Sequence, residues 1–117
     1  MAQKQLLILF QHPPIGTIFY AEGLRLAMGV ATMSKVEHAV EIVYRGDGAY
    51  FALQSVDRIG AAPFISALLR AGWVLKVEEE SLASRHIGHD LVASDIEIIN
   101  HRKVMELIKQ SDFVLDF

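Results

Sequence analysis

Leu6-Leu7-Ile8-Leu9-Phe10 is an unbroken apolar run that stops at Gln11-His12-Pro13-Pro14. Five apolar residues without alternation suit a strand buried on both faces, as in the interior of a parallel sheet. The two prolines exclude continuation as strand or helix. Downstream, Thr17 is placed to cap a helix reaching about Met33, with Glu22 and Arg25 paired on its exposed side. Gly23 and Gly29 cost propensity inside that helix, which implies close packing against a neighbour.

Ala39-Val40-Glu41-Ile42-Val43-Tyr44 reads as a second strand ended by the turn Arg45-Gly46-Asp47-Gly48. A short helix from Ala49 to Leu53 follows. Pro63 then opens a helix with Phe64, Ile65, Leu68 and Leu69 on one face and Gly72 as its stop. Trp73 to Val77 is the third strand, and Glu78 to Ser94 is a polar stretch with one helical turn. Ile96 to Ile99 is the fourth strand. Asn100 caps a helix over Arg102 to Gln110, with Val104, Met105, Leu107 and Ile108 facing inward, and Phe113 to Phe117 is the fifth strand. Alternating strands and helices specify an α/β fold. The expectation is a single domain over residues 1–117, built on a five-stranded, mostly parallel sheet with helices on both faces.

Composition narrows the function classes. Hydrophobic residues make up 52% of the 117 and charged residues 21%, which implies a doubly covered sheet and apolar surface shared in an oligomer. A net charge of −3 without a basic run gives no footprint for nucleic acid. The apolar runs are far shorter than the roughly 20 residues that span a bilayer, so no membrane association is expected. Met1 to Gln5 leads straight into a strand and lacks a cleavage pattern, which points to a cytoplasmic protein. There is no cysteine, hence no disulfide framework and no cysteine-ligated metal.

In a doubly wound sheet, ligands bind beyond the carboxyl ends of the strands. Three segments should meet there: Gln11 to Gly16, Arg45 to Gly48 and Glu78 to Ser81. The candidate crevice residues are therefore His12, Gly16, Thr17, Asp47, Gly48, Glu78 and Ser81. His12 could serve as a general base or simply bond a neighbouring loop. Asp47 between two glycines is explained as a turn former. Glu78-Glu79-Glu80 is a charge run of the solvated kind, although Glu78 falls where the strand leaves the sheet. Ser81 lacks the G-x-S-x-G surroundings of a nucleophile elbow. His86-x-x-His89-Asp90 has metal-ligand spacing but lacks a third strong ligand, so no metal is assigned. A helix N-terminus at Gly16 and Thr17 could hold a small anion, without any phosphate-binding motif to specify one. No catalytic residue and no cofactor are assigned.

Several stretches, taken in order, resemble the DsrE/DsrF-like family of sulfur metabolism, nearest the DsrF/TusC branch. They are the opening strand with His12-Pro13-Pro14-Ile15-Gly16, then Glu22-Gly23-Leu24, then Gly46-Asp47-Gly48-Ala49-Tyr50. Glu80-Ser81-Leu82-Ala83-Ser84-Arg85 and the terminal Asp112-Phe113-Val114-Leu115-Asp116-Phe117 complete the set. The resemblance implies flavodoxin-like layering and assembly as a homo-oligomer (trimer or hexamer), or as a hetero-oligomer with DsrE-like paralogues. It also implies a relay in which some subunits carry a persulfide on a cysteine near the end of the third strand, at or beside Glu78 here. A persulfide needs a thiol, and this chain has none.

Two functions stand side by side. One is a non-catalytic subunit or paralogue of a sulfur-relay-type assembly. The alternative is a homo-oligomer that binds a small ligand, an anion or nucleotide, in the crevice.

Overall fold

The computed structural model describes residues 4–14, 18–32, 39–57 and 73–117. Its elements are β1 (Gln5–Phe10), α1 (Phe19–Thr32), β2 (Ala39–Tyr44), a 3-10 helix (Gly46–Ala52) and β3 (Leu75–Glu78), then α2 (Glu79–Ser84), a 3-10 turn (His89–Leu91), β4 (Ile96–Ile99), α3 (His101–Gln110) and β5 (Phe113–Asp116). The expected Thr17 cap and the helix from Pro63 to Gly72 lie outside the described residues.

The five strands form one sheet in the order β4-β3-β2-β1-β5, and every pairing is parallel. The chain therefore steps outward from β1 to β4, then crosses back to lay β5 on the free side of β1. Strand order reverses between β1 and β5.

Period-two alternation divides β1 between the faces. Leu6, Ile8 and Phe10 join Tyr20, Leu24 and Ala27 of α1, Ile42 and Tyr44 of β2, and Leu75 and Val77 of β3 in the larger core. Aromatic rings fill the part of this core nearest the carboxyl ends. Tyr20 stacks on Phe51 at 3.9 Å, Phe10 meets Tyr20 edge-on at 4.9 Å, and the Tyr20 and Tyr44 hydroxyls share a hydrogen bond of 2.7 Å. Leu7, Leu9, Val43 and Ile99 face the other way and are covered by Val104 and Leu107 of α3. Burying each of those two side chains stabilises by roughly 1.5–3 kcal/mol.

Gly23 answers the expectation of close packing. A Cβ there would stand 2.5 Å from Phe10 Cε1, so only glycine lets α1 lie this near β1. On the exposed side Arg25 Nη1 lies 3.8 Å from Glu22.

Several boundaries and one side-chain orientation differ from the sequence expectation; α3 begins at His101 rather than Arg102, and β5 ends at Asp116 rather than Phe117. β3 pairs with β2 only from Leu75 onward and continues through Glu78, which lies opposite Ile99. Trp73 and Val74 stay outside the ladder. The short helix begins at Gly46, because a φ of +55° there lets the chain wind immediately after β2. Met105 of α3 is 38% exposed, not inward: with Val104, Leu107 and Ile108 on the core side, its position falls about 100° around the helix.

Candidate functional site

Strand alternation places Glu78 on the α3 side of the sheet, like Lys76, which pairs with Glu41 at 2.6 Å. Glu78 nevertheless ends β3 only 5% exposed, and beside it Ser81 is 6% exposed. A buried carboxylate is costly unless it is bonded and paired, and Glu78 is both. Ser81 Oγ donates to Oε1 at 2.6 Å, while His101 Nδ1 lies 3.0 Å from Oε2. Arg45 Nε stands 3.7 Å from the same Oε2. Burial alone pushes the carboxyl pKa up. The bonds from Ser81 and His101 and the charges of Arg45 and His101 outweigh it, so Glu78 is held below its ordinary range and stays ionised.

Each partner is itself anchored. Ser81 Oγ accepts the Gly46 N–H at 2.9 Å, which ties α2 to the turn after β2. That hydroxyl donates once and accepts once, so Ser81 is a strut between the end of β3 and the turn after β2. His101 opens α3, where Asn100 Oδ1 accepts from Lys103 N (2.9 Å) and Glu80 Oε1 accepts from His101 N (2.8 Å). These side chains engage two of the N–H groups that could otherwise hold an anion. Arg85 reaches across to Asp47 Oδ1 at 2.9 Å and also donates to the Ser81 carbonyl at 3.1 Å.

The structure thus brings Glu78 and Ser81 into one cluster and links Asp47 to it through Arg85. Gly48 sits where an added Cβ would lie 1.8 Å from the Phe10 carbonyl oxygen, so its role is to let the 3-10 helix touch the end of β1. His12 is elsewhere. Its exposed ring packs on Phe19 at 4.4 Å, and among the described residues it makes no bond to the cluster. Gly16 and Thr17 lie outside the described residues. His86, at φ 56°, ends α2 as its left-handed residue, and Ile87 N donates to Leu82 O behind it at 3.0 Å. That turn explains its position, and no three His, Cys, Asp or Glu residues among those described are grouped as for a metal.

His101, Arg45 and Arg85 join this cluster although none is among the candidate crevice residues of the sequence. His101 had a usable signal. It directly follows the cap Asn100 at the end of β4, so its helix must begin at the same carboxyl edge as Glu78.

No described helix is long and apolar enough to cross a membrane. Among curated proteins nothing matches the chain. Among the solved structures that share its fold are the following two. YchN from E. coli superposes with a TM-score of 0.77 at 16% identity, covering 99% of this chain and 100% of that one. MTH1491 from Methanobacterium thermoautotrophicum, described as a protein of unknown function, gives 0.77 at 8% identity over 98% and 100%. The model of the DsrE/DsrF-like family matches residues 4–117. This chain belongs to the DsrE/DsrF-like family.

Proposed function

We propose that this protein is a cysteine-free subunit or paralogue, of the DsrF/TusC kind, in a cytoplasmic sulfur-relay-type assembly, and that it carries no sulfur itself. The observation that bears the reading is Glu78. The family resemblance puts the relay thiol at or beside this position, and here a buried carboxylate is bonded by Ser81 and His101 and faced by Arg45. A carboxylate cannot form a persulfide. Its partners also lock it in place, so the site is built around the replacement.

Assembly is part of this reading. β5 is an edge strand whose Phe113 is 57% exposed and whose Val114 and Leu115 are each 38% exposed. Ile18, Phe19 and Leu26 add apolar surface at α1. An uncovered apolar edge invites pairing with another chain. Affinity purification from the native cell tests the proposal. A cysteine-bearing DsrE/DsrF-like chain should co-purify in fixed proportion, and isolation as a homo-oligomer alone contradicts it.

A small-ligand site at the same edge is the second reading, favoured by the half-exposed His101 ring beside the Arg45–Glu78 pair. It requires a ligand that raises the melting temperature of the wild type but not of His101→Gln.

A further inference from the structure

We infer that the Glu78–His101 pair is a proton-accepting site for a cysteine thiol presented at this edge by another chain, with His101 Nε2 taking the thiol proton. The inference rests on the relay-assembly reading and names what this chain would contribute to it. The chain has no thiol of its own, so the sulfur must come from outside.

The geometry sets the tautomer. Glu78 is ionised and has no hydrogen to give, so each group bonded to it must donate. Ser81 Oγ does so at 2.6 Å, and His101 Nδ1, at 3.0 Å, must therefore carry a hydrogen. In the neutral ring this leaves the lone pair on Nε2, across the ring from the carboxylate. The Glu78 side chain is 6% exposed while the His101 side chain is 50% exposed, so a buried orienting group lies behind an accessible base. Such a carboxylate holds an imidazole in one tautomer and stabilises the imidazolium it becomes. The backbone beneath the ring is fixed by Glu80 Oε1 on His101 N and by the Asn100 cap.

Around the ring, Glu78 from β3 meets Nδ1, Arg45 from the end of β2 pairs with that same carboxylate, and Glu80 from α2 accepts from the His101 backbone N–H. In the step itself the S–H bond breaks, an N–H bond forms at Nε2, and the electron pair stays on sulfur. The product is a thiolate beside an imidazolium, and nothing is oxidised or reduced. A thiol suits this base because its ordinary pKa, about 8.5, lies within reach of an imidazole, as a hydroxyl's does not.

Two measurements test the inference without any partner. Long-range proton–nitrogen spectra of the wild-type protein above neutral pH should show His101 with its hydrogen on Nδ1, and a hydrogen on Nε2 overturns the assignment. In the second, 2-mercaptoethanol is alkylated by iodoacetamide near pH 7 with the protein in excess. The wild type should accelerate alkylation about tenfold at protein concentrations that hold most of the thiol, because thiol held beside His101 is thiolate while free thiol is mostly protonated, and its lowered pKa costs part of its nucleophilicity. His101→Gln, at a half-exposed position that leaves the core intact, should lose the acceleration. Equal rates for the two proteins overturn the inference. A chain that captures a cysteine-bearing relative yet reacts like His101→Gln fails this inference alone. One that passes both measurements but captures no relative fails the assembly reading alone.

Discussion

Among the described residues, the carboxyl edge beyond β1 and β5 is sealed by backbone bonds and rings, whereas beyond β2, β3 and β4 it is a cluster of charged side chains. On the sealed side Gln11 N donates to Phe117 O and Phe117 N to Leu9 O, both at 2.9 Å. The Phe117 ring lies 6.2 Å from Phe10 and touches the site of Gly23. On the charged side Glu78 gathers Ser81, His101 and Arg45, and Arg85 binds Asp47. Strand order reverses on the sealed side, where a doubly wound sheet ordinarily opens its crevice. The contrast teaches that topology nominates an edge, but the residues on that edge decide which part of it stays polar and reachable.

The comparison can be broken in several places. The largest effect is expected where the two sides touch. Gly48→Ala drives a Cβ into the Phe10 carbonyl, which cannot swing away as a side chain tip would. It should cost about 3 kcal/mol or prevent folding, read by urea denaturation. A near-neutral Gly48→Ala would show that β1 and the 3-10 helix are not packed as described.

Next in size is Glu78→Ala, which leaves Ser81, His101 and Arg45 facing an empty site. A loss of about 2–3 kcal/mol is expected for stranding these donors. Glu78→Gln keeps the shape and one acceptor, so about 1 kcal/mol should be lost. The same pair carries a pH signature. Because the folded-state pKa of Glu78 lies below its ordinary value of 4.5, the carboxylate stabilises the fold above that pH. The contribution is lost as pH falls through the lowered folded value. The stability gap between wild type and Glu78→Gln should therefore be full near neutrality and close in acid, and a gap independent of pH refutes the ionised assignment.

On the sealed side, Phe117→Ala removes a half-buried ring. About 1–2 kcal/mol should be lost, less than for a fully buried phenylalanine, with the Glu78 signature unchanged. His12→Ala should have the smallest effect, within about 0.5 kcal/mol, because its ring is exposed on Phe19. A large loss there would move the functional weight back to the sealed side.

Strand content is legible in the sequence because β1 is an unbroken apolar run and the other strands are short apolar-rich segments bounded by turn residues. β2 and β4 begin and end at the residues their patterns indicate, and Asn100 caps α3 through Lys103 N. The end of β3 was less legible. Glu78 opens a run of three glutamates, and such a run reads as solvated surface. Only the fold shows that two donors, Ser81 and His101, and the Arg45 charge gather around it where it is buried. His101 was missed for the same reason: its partner is 23 residues away and meets it only through the β3–β4 pairing. Met105 reads as core because it is apolar and follows Val104, while the helical angle turns it outward. His12 drew attention as the lone histidine after the first strand, and a neighbouring ring accounts for its place.

The most direct test of the account is a carbon-13 titration of the Glu78 carboxyl in the folded protein. The account predicts a midpoint below the ordinary 4.5, shifting upward in His101→Gln as one donor is lost. A midpoint at or above 4.5 in the wild type would mean that burial wins over the donors. The donors around the carboxyl would then fail to offset its burial, and the stabilised carboxylate at the centre of this account would not exist.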